Sequence, residues 1–300
     1  MKRITLSKAT TAYIEDQRRL NYSWKTLKSN SGTLKQLSIY FKARRKGDIA
    51  LADITRKDIE RFQDKRTEGL SQNTICGDMR RASGFLKWAQ RQSYILFSPM
   101  QGMRFKTPPR DISRRTISEK EVEQLLNSIN TEQPIGLRDR AIIELMFSTG
   151  LRRTEIIDLN LYDVDFQAGT VRVNQGKGKK DRIVPVGIRA KNWLKRYIQL
   201  ARSALLEGRT EEALFITHTF RRFSDGGFGK MIIARMRQAR LKYASHSLRH
   251  GFATALLRRG ADITHIQAML GHASIVSTQI YTEVVTEDLR KTIERTHPGA

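Results

Sequence analysis

Residues 246–282 read HSLRHGFATALLRRGADITHIQAMLGHASIVSTQIYT, and three helix signals divide this stretch. Gly260 is placed to end a first helix, and Asp262 can cap a second one. Gly271 can end the second helix, which leaves Ser274 to begin a third. The stretch therefore predicts three short helices in succession.

Four side chains of this stretch are suited to hold an anion beside a phenol. His246 and Arg249 lie three residues apart, so they share one face of the first helix. His272 lies at the break after the second helix, and Tyr281 lies about two turns into the third. Each of them alone has a structural explanation, since most helical tyrosines are packed in a core. The combination of these residue types is what predicts a site.

The chain of 300 residues is strongly basic, with a formal net charge of +25 and a pI near 10.5. Residues 1–110 carry 24 lysines and arginines against nine acidic residues. A protein that neutralises phosphates releases their counterions, and this release favours binding. The charge therefore predicts a polyanionic partner.

Cysteine usage and hydropathy indicate an intracellular protein. Cys76 is the sole cysteine, which excludes an internal disulfide and a cysteine-based zinc cluster. The first residues lack the apolar core of a signal peptide, and no apolar run approaches the ~18 residues of a membrane span. We expect a soluble, cytoplasmic protein with no membrane partner.

The chain is long enough for two domains. Residues 1–102 predict amphipathic helices whose lysines and arginines lie opposite the apolar stripes, which together make a basic bundle. The following segment, SPMQGMRFKTPPRDISRR, holds three of the six prolines and has no helical periodicity, so we place a linker at 103–114. Residues 115–300 predict a second domain, whose first helix begins at Ser118.

An arginine follows the end of an apolar helix in this second domain. The helix RDRAIIELMFSTG ends at Gly150, and Arg152 comes directly after the glycine break. Glu155 lies three residues further on and can hold the arginine with its carboxylate. Taken alone, such a pair would more often be a surface salt bridge.

Residues 170–186, TVRVNQGKGKKDRIVPV, predict a β-hairpin with a basic tip. Two alternating strands flank a glycine-rich turn that presents Lys177, Lys179 and Lys180. The turn lacks the spacing of a nucleotide-binding P-loop. A lysine at the tip suits contact with a phosphate or a base edge, and a solvated charged turn explains the hairpin alone equally well.

Five motifs in order carry a family resemblance. They are TGLRRTE at 149–155, GKGKKDRIVPV at 176–186, HSLRHGFAT at 246–254, LGH at 270–272 and YT at 281–282. With these motifs the chain resembles the tyrosine recombinases of the phage integrase superfamily over essentially its whole length, and is most similar to Xer-type and transposon-resolvase members. The resemblance implies a mainly α fold with a small β-sheet. A helical core-binding domain and a catalytic domain with a C-terminal tail helix would form a C-shaped clamp around DNA.

The resemblance also implies roles for individual residues. Arg152 and Arg249 would neutralise the phosphate, and Glu155 would hold Arg152. Lys177 of the hairpin would protonate the leaving 5′ oxygen. Tyr281 would attack, and His246 and His272 would assist. These residue types suit the chemistry, because attack on a phosphodiester needs charge neutralisation and proton transfer.

The implied function is site-specific recombination of duplex DNA. The enzyme would cleave and rejoin strands through a 3′-phosphotyrosyl intermediate and a Holliday junction, with no metal, ATP or other cofactor. The implied partners are a double-stranded recombination site and other copies of this chain, as a tetramer on two sites. An accessory host protein or a sister recombinase is left open as a further partner. The role would be Xer-like chromosome or plasmid resolution, or resolution of transposon cointegrates.

Two other functions share parts of this pattern. A type IB topoisomerase uses the same residue types but relaxes supercoils as a monomer. The other is a DNA-binding protein without catalysis, such as an excision or architectural factor. The complete set of site residues favours catalysis, and the similarity along the whole chain favours recombination.

Overall fold

The computed structural model describes residues 3–105, 116–174 and 181–271. The chain divides into two compact units, Met1–Ile112 and Ser113–Ala300. Most of the linker predicted at 103–114 lies outside the described residues.

The first unit is helical, as its periodicity predicts. Its α-helices among the described residues are α1 (Leu6–Arg19), α2 (Trp24–Arg45), α3 (Arg56–Thr67) and α4 (Gln72–Arg91). A capping box of Thr55 and Asp58 begins α3, and the Ser71 side chain caps α4. The apolar faces of the four helices meet in one core that contains Leu34, Phe62 and Phe85.

The described residues of the second unit form further α-helices. They are α5 (Glu119–Asn127), α6 (Pro134–Thr149), α7 (Arg153–Asp158), α8 (Ile188–Arg196), α9 (Ser203–Leu206), α10 (Asp225–Gln238), α11 (Ser245–Arg258) and α12 (Ile263–Leu270). A π-helical segment, Tyr197–Arg202, joins α8 to α9. The long apolar helix α6 lies at the centre of this unit and packs against α8 and α11.

A small antiparallel sheet completes the second unit. Its strands are β1 (Val164–Asp165), β2 (Thr170–Val173) and β3 (Arg182–Pro185), in the order β1-β2-β3. Strands β2 and β3 form the predicted hairpin, with Val173 opposite Arg182. The tip, residues 175–180, lies outside the described residues. The prediction of a mainly α chain with a small β-sheet is therefore confirmed.

No helix in the described parts of the chain is both long and apolar enough to cross a membrane.

Candidate active site

The site is organised around the sharp turn between α6 and α7. Gly150 ends α6 with φ 62°, a left-handed conformation that costs glycine little. A Cβ at this position would lie 2.4 Å from Phe252 Cδ1 and 2.8 Å from Leu270 Cδ2. The turn therefore brings the backbone into close contact with α11 and α12, and a larger residue would separate them.

Arg152 lies at the start of α7, directly after this turn. Its backbone amide donates to Glu155 Oε2 and its Nη1 donates to Glu155 Oε1, both at 2.8 Å. Its Nη2 donates to the carbonyl of Gly271 at 3.0 Å. Glu155 is 7% exposed, so the ion pair that the spacing predicts lies in the interior rather than on the surface.

Glu155 carries its charge despite this burial. Removal from water by itself raises the pKa of the carboxyl group. Hydrogen bonds and positive charge from Arg182, together with the contacts from Arg152, outweigh that effect and hold the pKa of Glu155 below its ordinary value. The carboxylate is therefore a fixed anion to which the two guanidinium groups bind.

Arg249 approaches the same turn from α11. Its Nη1 donates to the carbonyl of Gly150 at 2.7 Å, and its Nη2 donates to the carbonyl of Leu270 at 2.8 Å. Arg249 is 2% exposed, although the sequence places it on one helix face with His246, which is exposed. These carbonyl contacts explain how α11 can bury an arginine, since its donors are satisfied by backbone acceptors.

His246 precedes Arg249 by one helical turn and remains accessible. Partial removal from water lowers the pKa of His246, and the charges of Arg249 and Arg152 lower it further. Its ring also contacts the ring of His250 edge to face, with centroids 4.5 Å apart. His246 is therefore neutral at pH 7 and able to accept a proton.

The structure thus brings together the four predicted site residues that it describes. These are Arg152, Glu155, His246 and Arg249. Arg152 and Arg249 bind carbonyl groups at the end of α12, Glu155 binds Arg152, and the charges of both arginines act on His246. The other three, Lys177, His272 and Tyr281, lie outside the described residues. Gly271, which ends α12 with φ 63° as predicted, is the residue before His272 in the chain.

Sequence reasoning missed two residues of this cluster. Arg182 binds Glu155 from β3, and His250 packs against His246. Arg182 lies in the GKGKKDRIVPV motif, but nothing in that motif distinguishes it from the other basic residues of the hairpin. His250 lies four residues after His246, and this spacing on one helix is the signal that could have found it.

Comparisons with known proteins point to one family. The model of the phage integrase family matches residues 115–288. The tyrosine recombinase XerC 2 of Ralstonia nicotianae is 35% identical over 305 residues, which cover 99% of this chain and 87% of that protein.

Two solved structures have a similar fold. One is the XerH site-specific recombinase bound to a palindromic difH substrate in a post-cleavage complex, with a TM-score of 0.72 and 23% identity, covering 91% of this chain and 80% of that one. The other is a lambda integrase tetramer bound to a Holliday junction, with a TM-score of 0.71 and 20% identity. The match covers 90% of this chain and 78% of that one.

Proposed function

The chain belongs to the phage integrase family, as a Xer-type tyrosine recombinase that cleaves and rejoins DNA at specific sites, and we propose how its own residues perform this reaction. The observation that carries the proposal is the convergence of Arg152 and Arg249 on the end of α12. His272 directly follows Gly271, the residue that ends α12, and Tyr281 lies nine residues after His272.

In the proposed reaction the phenol oxygen of Tyr281 attacks the scissile phosphorus. The bond from phosphorus to the 5′ oxygen breaks, and a 3′-phosphotyrosyl bond forms. His246 accepts the phenol proton, while Lys177 donates a proton to the departing 5′ oxygen. Attack by a 5′ hydroxyl from another strand reverses these steps and reseals the DNA. The bond energy is conserved, so no ATP, metal or other cofactor enters the scheme.

Two guanidinium groups stabilise the transition state in this proposal. Arg152 and Arg249 would bind the nonbridging oxygens and neutralise the charge that develops on them, with His272 as a further hydrogen-bond donor. Because Arg249 is buried in the structure, its guanidinium must become accessible when DNA binds. The lowered pKa of His246 supports its role as base, since the ring is neutral at pH 7.

The two domains have separate roles in the proposal. Residues 1–102 are the core-binding domain, 103–114 the linker and 115–300 the catalytic domain. The excess of basic residues within 1–110 supports contact with the DNA backbone.

The proposed assembly is a tetramer in which four copies of the chain bind two recombination sites. The lambda integrase of similar fold is a tetramer in its complex with a Holliday junction, which supports the same arrangement here. An accessory host protein or a sister recombinase remains open as a further partner.

The proposed setting is the cytoplasm, where the recombinase has access to DNA. The similarity to a XerC protein supports Xer-like resolution of chromosomes or plasmids, with resolution of transposon cointegrates as the other role of the same chemistry. Both roles use strand exchange through a Holliday junction.

The test is formation of a covalent protein–DNA adduct at Tyr281, with EDTA present throughout. A nicked suicide substrate should trap the wild-type protein as a denaturant-resistant adduct, whereas Tyr281→Phe should form none, because phenylalanine has no nucleophilic oxygen. Tyr162→Phe is the matched control, since Tyr162 is an exposed tyrosine of the catalytic domain, and it should form the adduct normally. An adduct with Tyr281→Phe, or none with the wild type, would contradict the proposal.

A second assay separates recombination from topoisomerase activity. Two duplexes with different labels, each carrying the recombination site, should exchange strands when incubated with the protein. Relaxation of supercoiled DNA without any exchange would instead support a type IB topoisomerase.

A further inference from the structure

Three consecutive carbonyl groups at the end of α12 each accept a hydrogen bond from a different arginine. The pairs are Arg182 Nε with Met269 at 3.0 Å, Arg249 Nη2 with Leu270 at 2.8 Å, and Arg152 Nη2 with Gly271 at 3.0 Å. The last carbonyls of a helix have no partners within the helix, and the helix dipole adds partial negative charge there. This helix end is therefore held by cations from three separate elements.

Arg182, the first residue of β3, has a second partner. Its Nη1 donates to Glu155 Oε1 at 3.1 Å, and its Nη2 donates to Glu155 Oε2 at 2.8 Å. The planar fork of a guanidinium matches the two carboxylate oxygens. The Arg182 side chain is 14% exposed, so these contacts are largely shielded from water.

The same carboxylate holds Arg152. Glu155 accepts from the backbone amide and from Nη1 of Arg152, so Arg182, Glu155 and Arg152 form a continuous chain of charged hydrogen bonds. The Arg182 guanidinium also lies against Gly271, where a Cβ would be 3.0 Å from its Cζ. One side chain therefore links β3, α7 and the end of α12.

We propose that Arg182 is a positioning residue for strand cleavage. It sets the distance between Glu155 and the end of α12, and through them the orientation of Arg152 and the start of the segment that leads to Tyr281. Without Arg182, Glu155 draws more of its charge compensation from Arg152 and competes with the phosphate for that guanidinium. The inference rests on the proposed function of Arg152 and Tyr281.

A lysine cannot replace this arginine fully. An ammonium group supplies the positive charge but lacks the planar fork that contacts a carboxylate and a carbonyl at the same time. Arg182→Lys should therefore recover part of the function that Arg182→Met loses. If only the positive charge of Arg182 mattered, Arg182→Lys would instead cleave at the wild-type rate.

The test measures single-turnover cleavage of the suicide substrate at saturating protein, beside DNA affinity. Arg182→Met should lower the cleavage rate by about 100-fold, the size expected for a misplacement of about 1 Å. Its DNA affinity should stay within about twofold of the wild type. The cleavage rate of Arg182→Lys should lie between the rates of the wild type and Arg182→Met. Arg172→Gln is the matched control, because it removes an exposed arginine from the neighbouring strand, and its rate should equal that of the wild type.

A double variant shows whether Arg182 acts through Glu155. Glu155→Gln removes the carboxylate that competes for Arg152, so adding Arg182→Gln to it should cost much less than Arg182→Gln costs alone. Full additivity of the two effects would overturn the inference. This comparison also remains decisive if Arg182→Met folds poorly, because both substitutions keep polar side chains.

The wild-type adduct at Tyr281 separates the two proposals. If the wild type forms it and Arg182→Met cleaves at the wild-type rate, the positioning role is wrong and the proposed function stands. The positioning role is also wrong if slower cleavage by folded Arg182→Met is explained by a loss of DNA affinity. If the wild type forms no adduct, both the proposed function and the positioning role of Arg182 are wrong.

Discussion

The arginines of the site bind backbone carbonyls as well as a carboxylate. Arg249 and Gly150 are 99 residues apart in the chain, and the hydrogen bond between them ties α11 to the turn that carries Arg152. Arg249 and Arg152 place positive charge near His246. That charge favours a bound phosphate and disfavours a proton on the histidine.

The lowered pKa of His246 gives a prediction at the scale of single residues. Since partial burial and the charges of Arg249 and Arg152 lower the pKa of His246 from its ordinary value of about 6.5, the ring gains its proton mainly below that pH. If His246 is the base, the single-turnover cleavage rate should stay level from pH 8 to about 6.5 and fall at lower pH. A rate that already falls on going from pH 8 to pH 7 would argue against this assignment.

The control for this profile is another histidine. His218 is exposed in the loop before α10, so His218→Gln should reproduce the wild-type pH profile. His246→Gln should cleave slowly at every pH and lose the decrease below pH 6.5.

At the scale of elements, the site depends on how closely three helix ends approach one another. The end of α6, the start of α7 and the end of α12 meet at Gly150 and Gly271, both with positive φ. Phe252 from α11 fills the space beside Gly150. The close packing of these ends explains why their carbonyls are within reach of the arginines.

Gly150→Ala should therefore destabilise the second unit. Alanine would carry a left-handed φ and place its Cβ 2.4 Å from Phe252, which together should cost about 2–4 kcal/mol. Gly260→Ala is the matched control, since Gly260 also has a positive φ but no atom within 4 Å of its Cβ position. It should cost only about 1 kcal/mol, from the backbone alone. Urea unfolding measures both, and equal losses would show that packing at Gly150 does not matter.

At the scale of the whole molecule, both units are basic. Residues 1–110 carry 24 lysines and arginines against nine acidic residues, and the chain as a whole has a net charge of +25. Many of these side chains lie on exposed helix faces, among them Lys35, Lys42 and Lys87. Charge spread over so much of the surface favours contact with many phosphates at once.

DNA binding should accordingly weaken steeply as salt increases. Each phosphate contact contributes about −0.9 to the slope of log K against log salt concentration, so a footprint of six or more contacts predicts a slope steeper than about −5. Titrations of a labelled duplex between about 50 and 200 mM salt measure this slope. A duplex without the recombination site is the control and should give a similar slope with weaker affinity. A slope near zero would rule out binding dominated by phosphates.

Local patterns in the sequence account for most of the fold. Among the described residues, apolar periodicity and capping residues predicted helices and their ends, including the start at Ser118 and the terminations at Gly150 and Gly271. The alternation of apolar and polar residues predicted the hairpin formed by β2 and β3. These features depend on residues a few positions apart, so the chain reveals them without any knowledge of its tertiary contacts.

By itself, the sequence determined the helical architecture, the basic character and, through its ordered motifs, the family of this protein. Only the tertiary structure decided that Arg249 is buried, that Glu155 lies in the interior, and that Arg182 links Glu155 to the end of α12. The physical reason is that these arginines bind backbone carbonyls. Every residue carries a carbonyl group, so such an acceptor leaves no signal in the sequence, and its availability depends on where the helix ends come together in space.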